Sequence, residues 1–441
     1  VKSEDRRVEQ AIIRSQVRAY RRVLSRPLLR RVLPGMLLSA IGDGMSVVAV
    51  AWLALRVAPP GQPGVWTALA VAAYTLPATL GAGALARFVR RLPATALVTA
   101  DATLRAIALG TVAALAIAGV LTPVTYVVLL AASSLLHAWG NAGAYTLIAE
   151  LVSEEDRVIG NALLSTFAQA SYVVGPALAG LLSAWAGPGW VIAADAATFA
   201  VLALSCRRAS TSAATVQPAQ PTSGMRIIIR SRQLVSLLAV TCVFFFLYGP
   251  VEVALPIHIA DELHGSAALL GVFWAIFGLG AILGGLGAGL LRNRPLWIVV
   301  AGIIIGWGAA LLPLGLSDAV LPALVGFGVG GLIYGPFTAI CTALFQQATP
   351  APLLSRVLAT RTALTTPSTA FGTLVGGPVV AAIGGRGTLF ASAVLTIALG
   401  ILVAITSGLR PLWTTIDPTV PADRPGTPPL PRGRRTRVRG S

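Results

Sequence analysis

The sequence predicts an all-α membrane protein, with twelve transmembrane helices arranged as two pseudo-symmetric six-helix bundles. Three observations carry that prediction: the balance of apolar to charged residues, the spacing of the apolar stretches, and a repeat between the two halves. Of 441 residues, 56% are hydrophobic and 11% charged, whereas soluble domains are about a quarter charged. The apolar stretches therefore have too little polar surface to face water. A helix that crosses a bilayer needs roughly 20 apolar residues, so this length holds on the order of a dozen with short connections.

The elements follow in order. Residues 1–32 form a basic tail without an apolar core of signal-peptide length, so the stretch that begins at Leu33 is expected to stay in the protein. Within the tail, Val8, Ile12, Ile13, Val17, Tyr20 and Leu24 keep helical spacing between arginines. That pattern suits either a basic helix lying on anionic lipid or a solvated tail. The first bundle is expected over 33–206, with spans at 33–57, 65–85, 94–120, 124–151, 158–185 and 189–206. Residues 207–233, rich in Ser, Thr, Ala, Gln and Pro, read as a flexible cytoplasmic linker. The second bundle is expected over 234–409, with spans at 234–260, 267–291, 296–316, 320–346, 357–383 and 388–409. Several spans contain Gly and Pro, which bilayer helices tolerate. Residues 410–441 are rich in Pro and Arg, lack apolar periodicity, and read as a disordered basic tail.

A net charge of +17 raises the question of nucleic acid, but the distribution points elsewhere. Of the 33 basic residues, 30 fall in the two tails, the linker, and the loops after spans two, four, eight and ten. Only Arg56 and Arg386 lie on the other side, and Arg105 sits within span three. Such asymmetry orients membrane proteins, so both termini are expected to be cytoplasmic. Lys2 is the only lysine; a phosphate loop that needs a lysine is excluded. Cys206, Cys242 and Cys341 lack metal-site spacing and read as small packing residues. No nucleophile elbow or metal cluster is present, so no enzyme activity, cofactor or metal is expected.

Two short repeats tie the halves together. Gly81-Ala-Gly-Ala-Leu-Ala-Arg87 at the end of span two echoes Gly287-Ala-Gly-Leu-Leu-Arg292 at the end of span eight. Val174-Gly-Pro-Ala-Leu-Ala-Gly180 in span five echoes Gly376-Gly-Pro-Val-Val-Ala-Ala382 in span eleven. Duplicated six-helix bundles around a cavity in the membrane are an architecture of secondary transporters.

Four stretches resemble the major facilitator superfamily, and within it the bacterial twelve-span drug, macrolide and siderophore exporters. They are Ser39-Ala-Ile-Gly-Asp-Gly-Met-Ser46, Gly83-Ala-Leu-Ala-Arg-Phe-Val-Arg-Arg91 with Asp101 and Arg105 following, Ala149-Glu-Leu-Val-Ser-Glu-Glu-Asp-Arg157 leading to Asn161 and Ala162, and Ser171-Tyr-Val-Val-Gly-Pro-Ala-Leu-Ala-Gly180. The last is similar to the family's antiporter motif, which implies a hinge-and-seal role for Gly175, Pro176 and Gly180, echoed by Gly377 and Pro378. Small residues let helices approach closely, and Pro176 permits a kink. The second stretch departs from the family pattern: no acidic residue stands between Ala86 and Arg87. Span four keeps Gly140 and Gly143 but lacks the expected arginine before them, with His137 nearby.

An ionisable group inside a bilayer costs about 2.5–3.5 kcal/mol on insertion scales and needs a reason to be there. Asp43 in span one and Glu252 in span seven occupy corresponding spans and are candidates for proton coupling or for holding a substrate charge, with His137 as a third. A carboxylate whose surroundings change polarity can take up and release a proton. Asp101 and Arg105 stand four apart on one face of span three and are expected to pair structurally. Asp195 is expected to cap or pair within span six. Arg87, Arg90, Arg91, Glu150 and Arg157, with Glu154, Glu155 and Asp156, are expected to form a charge network at the cytoplasmic ends. Tyr145, Tyr248, Tyr334 and Trp139 are the candidates for lining the substrate cavity, suited to aromatic or amphipathic compounds. His258 and His264 read as boundary residues.

The function expected from this set is proton-coupled efflux of a hydrophobic or amphipathic small molecule by alternating access, from a monomer in the bacterial cytoplasmic membrane. Direction comes from the resemblance, not from composition. An importer or lipid flippase of the same fold, and a non-transporting sensor or scaffold, stay open at this point.

Overall fold

A computed structural model describes residues 24–85, 92–153, 156–207, 221–291, 294–350 and 353–408. Among them, eleven helices are long and apolar enough to cross a membrane, and the last contains two spans. The first six spans are Pro27–Val57, Pro63–Ala84, Ala94–Ile117, the pair Pro123–Ser134 and His137–Leu151, Arg157–Ala186, and Pro188–Arg207. Prolines open spans one, two, four and six, where the first turn has no use for the missing N–H. Span one starts at Pro27, earlier than the expected Leu33, and Arg26 Nη1 donates 2.6 Å to the Leu151 carbonyl at the end of span four.

The second six spans are Arg232–Ile257, Ala267–Gly287, Leu296–Leu316, the pair Val320–Tyr334 and Phe337–Gln347, and two spans within Leu354–Gly408. Those two helices are separated at Gly384, whose φ of 76° and ψ of 173° suit glycine. The linker is not wholly flexible as the sequence suggested. Pro221–Arg230 forms a helix that buries Ile228 and seats Gly224 against Arg356 and Thr360 at the start of span eleven. Arg361, counted with the basic residues of the loop after span ten although the expected span began at 357, lies inside span eleven.

The two halves break at matching places. Span four is interrupted between Ser134 and His137, and span ten between Tyr334 and Phe337, where Pro336 lacks an N–H. A glycine of the bundle's second helix packs against each break: Gly81 on the Leu135 carbonyl, Gly284 on the Leu332 carbonyl. By packing, the counterpart of Gly81 is therefore Gly284. Gly287, which the sequence repeat aligns with Gly81, lies about one helical turn further on and has nothing within 4 Å.

Contacts between the halves gather at the end of the bundle away from the chain termini. Gly180 of span five meets Ala268 and Gly271 of span eight, and Gly377 of span eleven meets Gly64, Val65 and Ala68 of span two. At the opposite end Gly83, Gly287 and Gly289 have no neighbour within 4 Å, and Leu286 and Leu290 are exposed.

Candidate functional site

The N-terminal half holds a cluster of ionisable groups in its core. Arg105, 1% exposed, pairs with Asp43 Oδ1 at 2.5 Å. Tyr74 from span two donates its hydroxyl to the same oxygen at 2.8 Å, and Arg105 Nη1 also lies 3.3 Å from that hydroxyl. The guanidinium sits over the rings of Tyr74 and Phe199, at 5.4 and 4.9 Å from their centroids. Spans one, two, three and six thus converge on one cation. Asp101 stands 3.6 Å from Arg105 Nε, beyond hydrogen-bonding distance. The pairing expected within span three is therefore the weaker one, and the strong partner is Asp43 from another helix.

Glycines make room for these carboxylates. A Cβ on Gly140 would strike the Asp101 carboxylate, and one on Gly42 would strike Asp195. Asp195 is fully buried and accepts hydrogen bonds from Ser46 of span one and from Thr198 at 3.4 Å. It fastens span six to span one rather than serving span six alone. His137, 40% exposed, places Nδ1 3.7 Å from Asp101 Oδ2. A line of polar groups therefore runs from His137 through Asp101 and Arg105 to Asp43, whose side chain is 33% exposed.

In the C-terminal half, Glu252 accepts a 3.1 Å hydrogen bond from Thr373 of span eleven. Around it the core is aromatic. Tyr248 lies 6.0 Å from Trp307 and 6.3 Å from Tyr334, and Phe277 lies 5.5 Å from Trp307 and 5.6 Å from Tyr334. Tyr248 and Tyr334 are partly buried within this cluster, while Tyr145 is exposed. Trp139, a candidate for the cavity, is 2% exposed, and its indole N–H donates 3.1 Å to the Gly81 carbonyl, so it packs span four onto span two instead.

The Gly-Pro stretches join these groups to the inter-half contacts. Gly175 abuts the backbone of Gly44, next to Asp43, while the Pro176 carbonyl faces Gly271 of the other half. Gly376 abuts Pro250, two residues before Glu252, and Gly377, which precedes Pro378, faces Ala68 of the other half. Tyr172, a residue that sequence reasoning passed over, is 58% exposed and close enough to Asp43 and Glu252 to interact electrostatically with both. Its only sequence signal is its place beside the Gly-Pro stretch.

At the ends nearer the termini, the Glu150 carboxylate oxygens are buried without a hydrogen-bond partner among the described residues. The expected network with Arg157 is therefore not made by Glu150. Arg87, Arg90, Arg91, Glu154 and Glu155 lie outside the described residues. At the far end of the C-terminal half, buried His258 contacts Glu262 at 2.9 Å within a short π-helix. Glu262 accepts from the Arg386 backbone N–H, and Arg386 pairs with Asp318 at 2.6 Å. No group of three or more metal-ligating side chains occurs among the described residues.

Comparison with known proteins agrees with this architecture. Residues 32–349 match the family model of the Major Facilitator Superfamily. The multidrug efflux pump Tap of Mycobacterium tuberculosis is 28% identical over 416 residues, covering 89% of this chain and 96% of that protein. Macrolide efflux protein A of Streptococcus pyogenes is 24% identical over 253 residues, 55% of this chain and 62% of that one. Among solved structures, the nucleoside transporter NupG superposes with a TM-score of 0.65 at 14% identity, covering 87% of this chain and all of NupG. A bacterial homologue of the iron transporter ferroportin, in an inward-facing state, gives 0.65 at 17% identity over 86% of this chain and 98% of that one. With most of its length matched to the family model and its helices folded as two repeated bundles, this chain belongs to the Major Facilitator Superfamily.

Proposed function

We propose that the chain is a proton-coupled exporter of hydrophobic or amphipathic small molecules, working by alternating access in the bacterial cytoplasmic membrane. Its termini lie on the cytoplasmic side, so the contacts between Gly180 and Gly271 and between Gly377 and Ala68 seal the outer face. The opening then faces the cytoplasm. One observation carries the reading. Each Gly-Pro stretch touches both a carboxylate-bearing span of its own half and a sealing helix of the other half. A change of charge at Asp43 or Glu252 therefore has a short mechanical route to the outer seal. In the N-terminal half, the line His137–Asp101–Arg105–Asp43 gives protons a polar course through an apolar bundle. The aromatic surface about Tyr248 and Tyr334 suits flat, greasy substrates.

The energetics suffice. One proton moving through about 100 mV releases roughly 2.3 kcal/mol, enough for a concentration ratio on the order of 50 at one proton per substrate. The relatives named as multidrug and macrolide efflux pumps support the outward direction.

The test is accumulation of ethidium and of a macrolide in an efflux-deficient host. The intact chain should lower accumulation of at least one of them, and a protonophore should abolish the effect. Asp43→Asn and Glu252→Gln keep hydrogen-bonding capacity but cannot change charge, and each should reduce protonophore-sensitive efflux at least tenfold. Accumulation raised by the chain would favour uptake and overturn the exporter; efflux untouched by both substitutions would overturn the coupling.

A further inference from the structure

Among the described residues Arg105 and Arg361 are the buried arginines, and unlike Arg105, Arg361 has no acid partner among them. It is 9% exposed and lies in span eleven. Its Nη1 donates to Thr342 Oγ1 of span ten at 2.8 Å, and its guanidinium sits over the Phe345 ring, 5.3 Å from the centroid. Among the described residues, the groups near enough to interact with it electrostatically are Cys341, Tyr334 and Cys242, none of them a carboxylate. A guanidinium carries five N–H donors in a planar fork suited to an oxyanion, and one protein oxygen receives a bond here. None of its nitrogens is a fully enclosed atom left without a partner. The donors not used on Thr342 therefore remain reachable. Burying a cation without a counter-charge is costly, and no described residue supplies one, so an anionic partner is favoured at this site.

The surroundings favour a polar group on that partner. From Arg361 onward, span eleven carries Thr362, Thr365, Ser368, Thr369 and Thr373, and the last holds Glu252. These five hydroxyls donate to carbonyls one turn earlier, so they have acceptor lone pairs left to offer, suited to the donor of a zwitterion, and Arg361 is the donor for an anion. Tyr334, in electrostatic reach of the guanidinium, is itself stacked with Phe244 at 6.2 Å and Phe337 at 6.1 Å. Phe244 and Phe337 are covered, so partly buried Tyr334 is the ring that the flat, apolar body of an oxyanion at Arg361 would meet.

We propose that Arg361 is the specificity residue for an oxyanion, so that the transported amphiphile is an aromatic acid or zwitterion rather than a simple cation. The assignment deepens the exporter reading and rests on it for the identity of the cargo. The acid comes from the solute, not from a lipid headgroup, because the adjoining aromatic side chains are interior residues of spans seven and ten.

Equilibrium binding of naphthoate and of its neutral amide, naphthamide, to the full chain in phosphatidylcholine nanodiscs tests this without any gradient. The intact chain should bind naphthoate at least tenfold more tightly than naphthamide. Arg361→Gln should erase that preference while naphthamide binding persists, Arg361→Lys should restore part of it, and Thr342→Val should change it two- to threefold. Four results would overturn the assignment: no preference in the intact chain, loss of both probes in every Arg361 variant with Thr342→Val silent, displacement of naphthoate by phosphatidylglycerol alone, or recovery of Arg361→Gln by Glu150→Gln. The last would mark a charge pair between the halves. Because no transport is measured, naphthoate preference can persist while proton-driven efflux fails, and the reverse, so the two readings fail separately.

Discussion

In each half, side chains from the first three spans come together, yet over different chemistry. In the N-terminal half Asp43, Tyr74 and Arg105 come together from spans one, two and three. In the C-terminal half Tyr248, Phe277 and Trp307 come from spans seven, eight and nine, with Tyr334 between them. One frame thus carries an ion cluster on one side and a ring cluster on the other. Ions in a low-dielectric core fix their neighbours strongly and can change charge; rings cannot change charge but offer broad contact area. On the proposed function the ion cluster joins Glu252 in coupling while the rings serve recognition of shape, and the contrast teaches that a duplicated backbone does not oblige its copies to carry the same chemistry.

The largest effect expected from breaking this contrast is at Arg105. Arg105→Met leaves Asp43 and Asp101 in the bundle without their cation and should cost about 3–5 kcal/mol, seen as a collapse of thermal stability in detergent. Pairing it with Asp43→Asn should recover part of the loss, since a neutral pair is tolerated better than a lone charge. Trp307→Leu should cost less, on the order of 2 kcal/mol from a partly collapsed cavity, and should show no such rescue. Equal costs with no rescue would remove the distinction between the clusters.

A middle-sized effect is expected at the seals, which the halves supply reciprocally. Gly271→Val would push a side chain into the Pro176 carbonyl, and Gly377→Val into Ala68 and the Gly64 carbonyl. Each should cost the closed end roughly 1–3 kcal/mol by overpacking. Faster labelling of Ala268→Cys or Val65→Cys by a membrane-impermeant maleimide would read it out. If one substitution opens both sites, the seals act as a unit; if each opens its own, they are independent.

The smallest effect concerns Trp139 against Tyr334. Trp139→Phe removes one hydrogen bond, worth about 1 kcal/mol, and should leave the ranking of exported compounds unchanged. Tyr334→Ala should alter that ranking, measured as relative protection against a panel of toxic compounds. An altered ranking from Trp139→Phe would return that indole to the cavity.

Much of the frame was legible in the sequence because it depends on sums. Each span adds up some twenty apolar residues, and an error at one position hardly changes the total. Gly384 shows the limit: the break between spans eleven and twelve was visible, but its reduction to a single non-helical glycine was not. The polar positions were less legible. Asp101 and Arg105 share a helix face, which made them look like partners, whereas the rotation of span three delivers Arg105 to Asp43 and Tyr74 instead. Arg361 was counted with the loop charges although it fell within the expected span, because a charge near a helix end says nothing of whether neighbours cover it. Trp139 looked available for ligand because composition says nothing of what covers a ring.

The amino-acid order alone determined that this chain lives in a membrane, how many times it crosses, and that its halves are copies, since burial of apolar length in lipid outweighs any local detail. Which charge meets which, which rings stack, and which face is shut were decided only when the helices packed. A helix is free to turn about its axis until neighbours fix it, and a rotation too small to alter its fit to the bilayer moves a side chain from one partner to another.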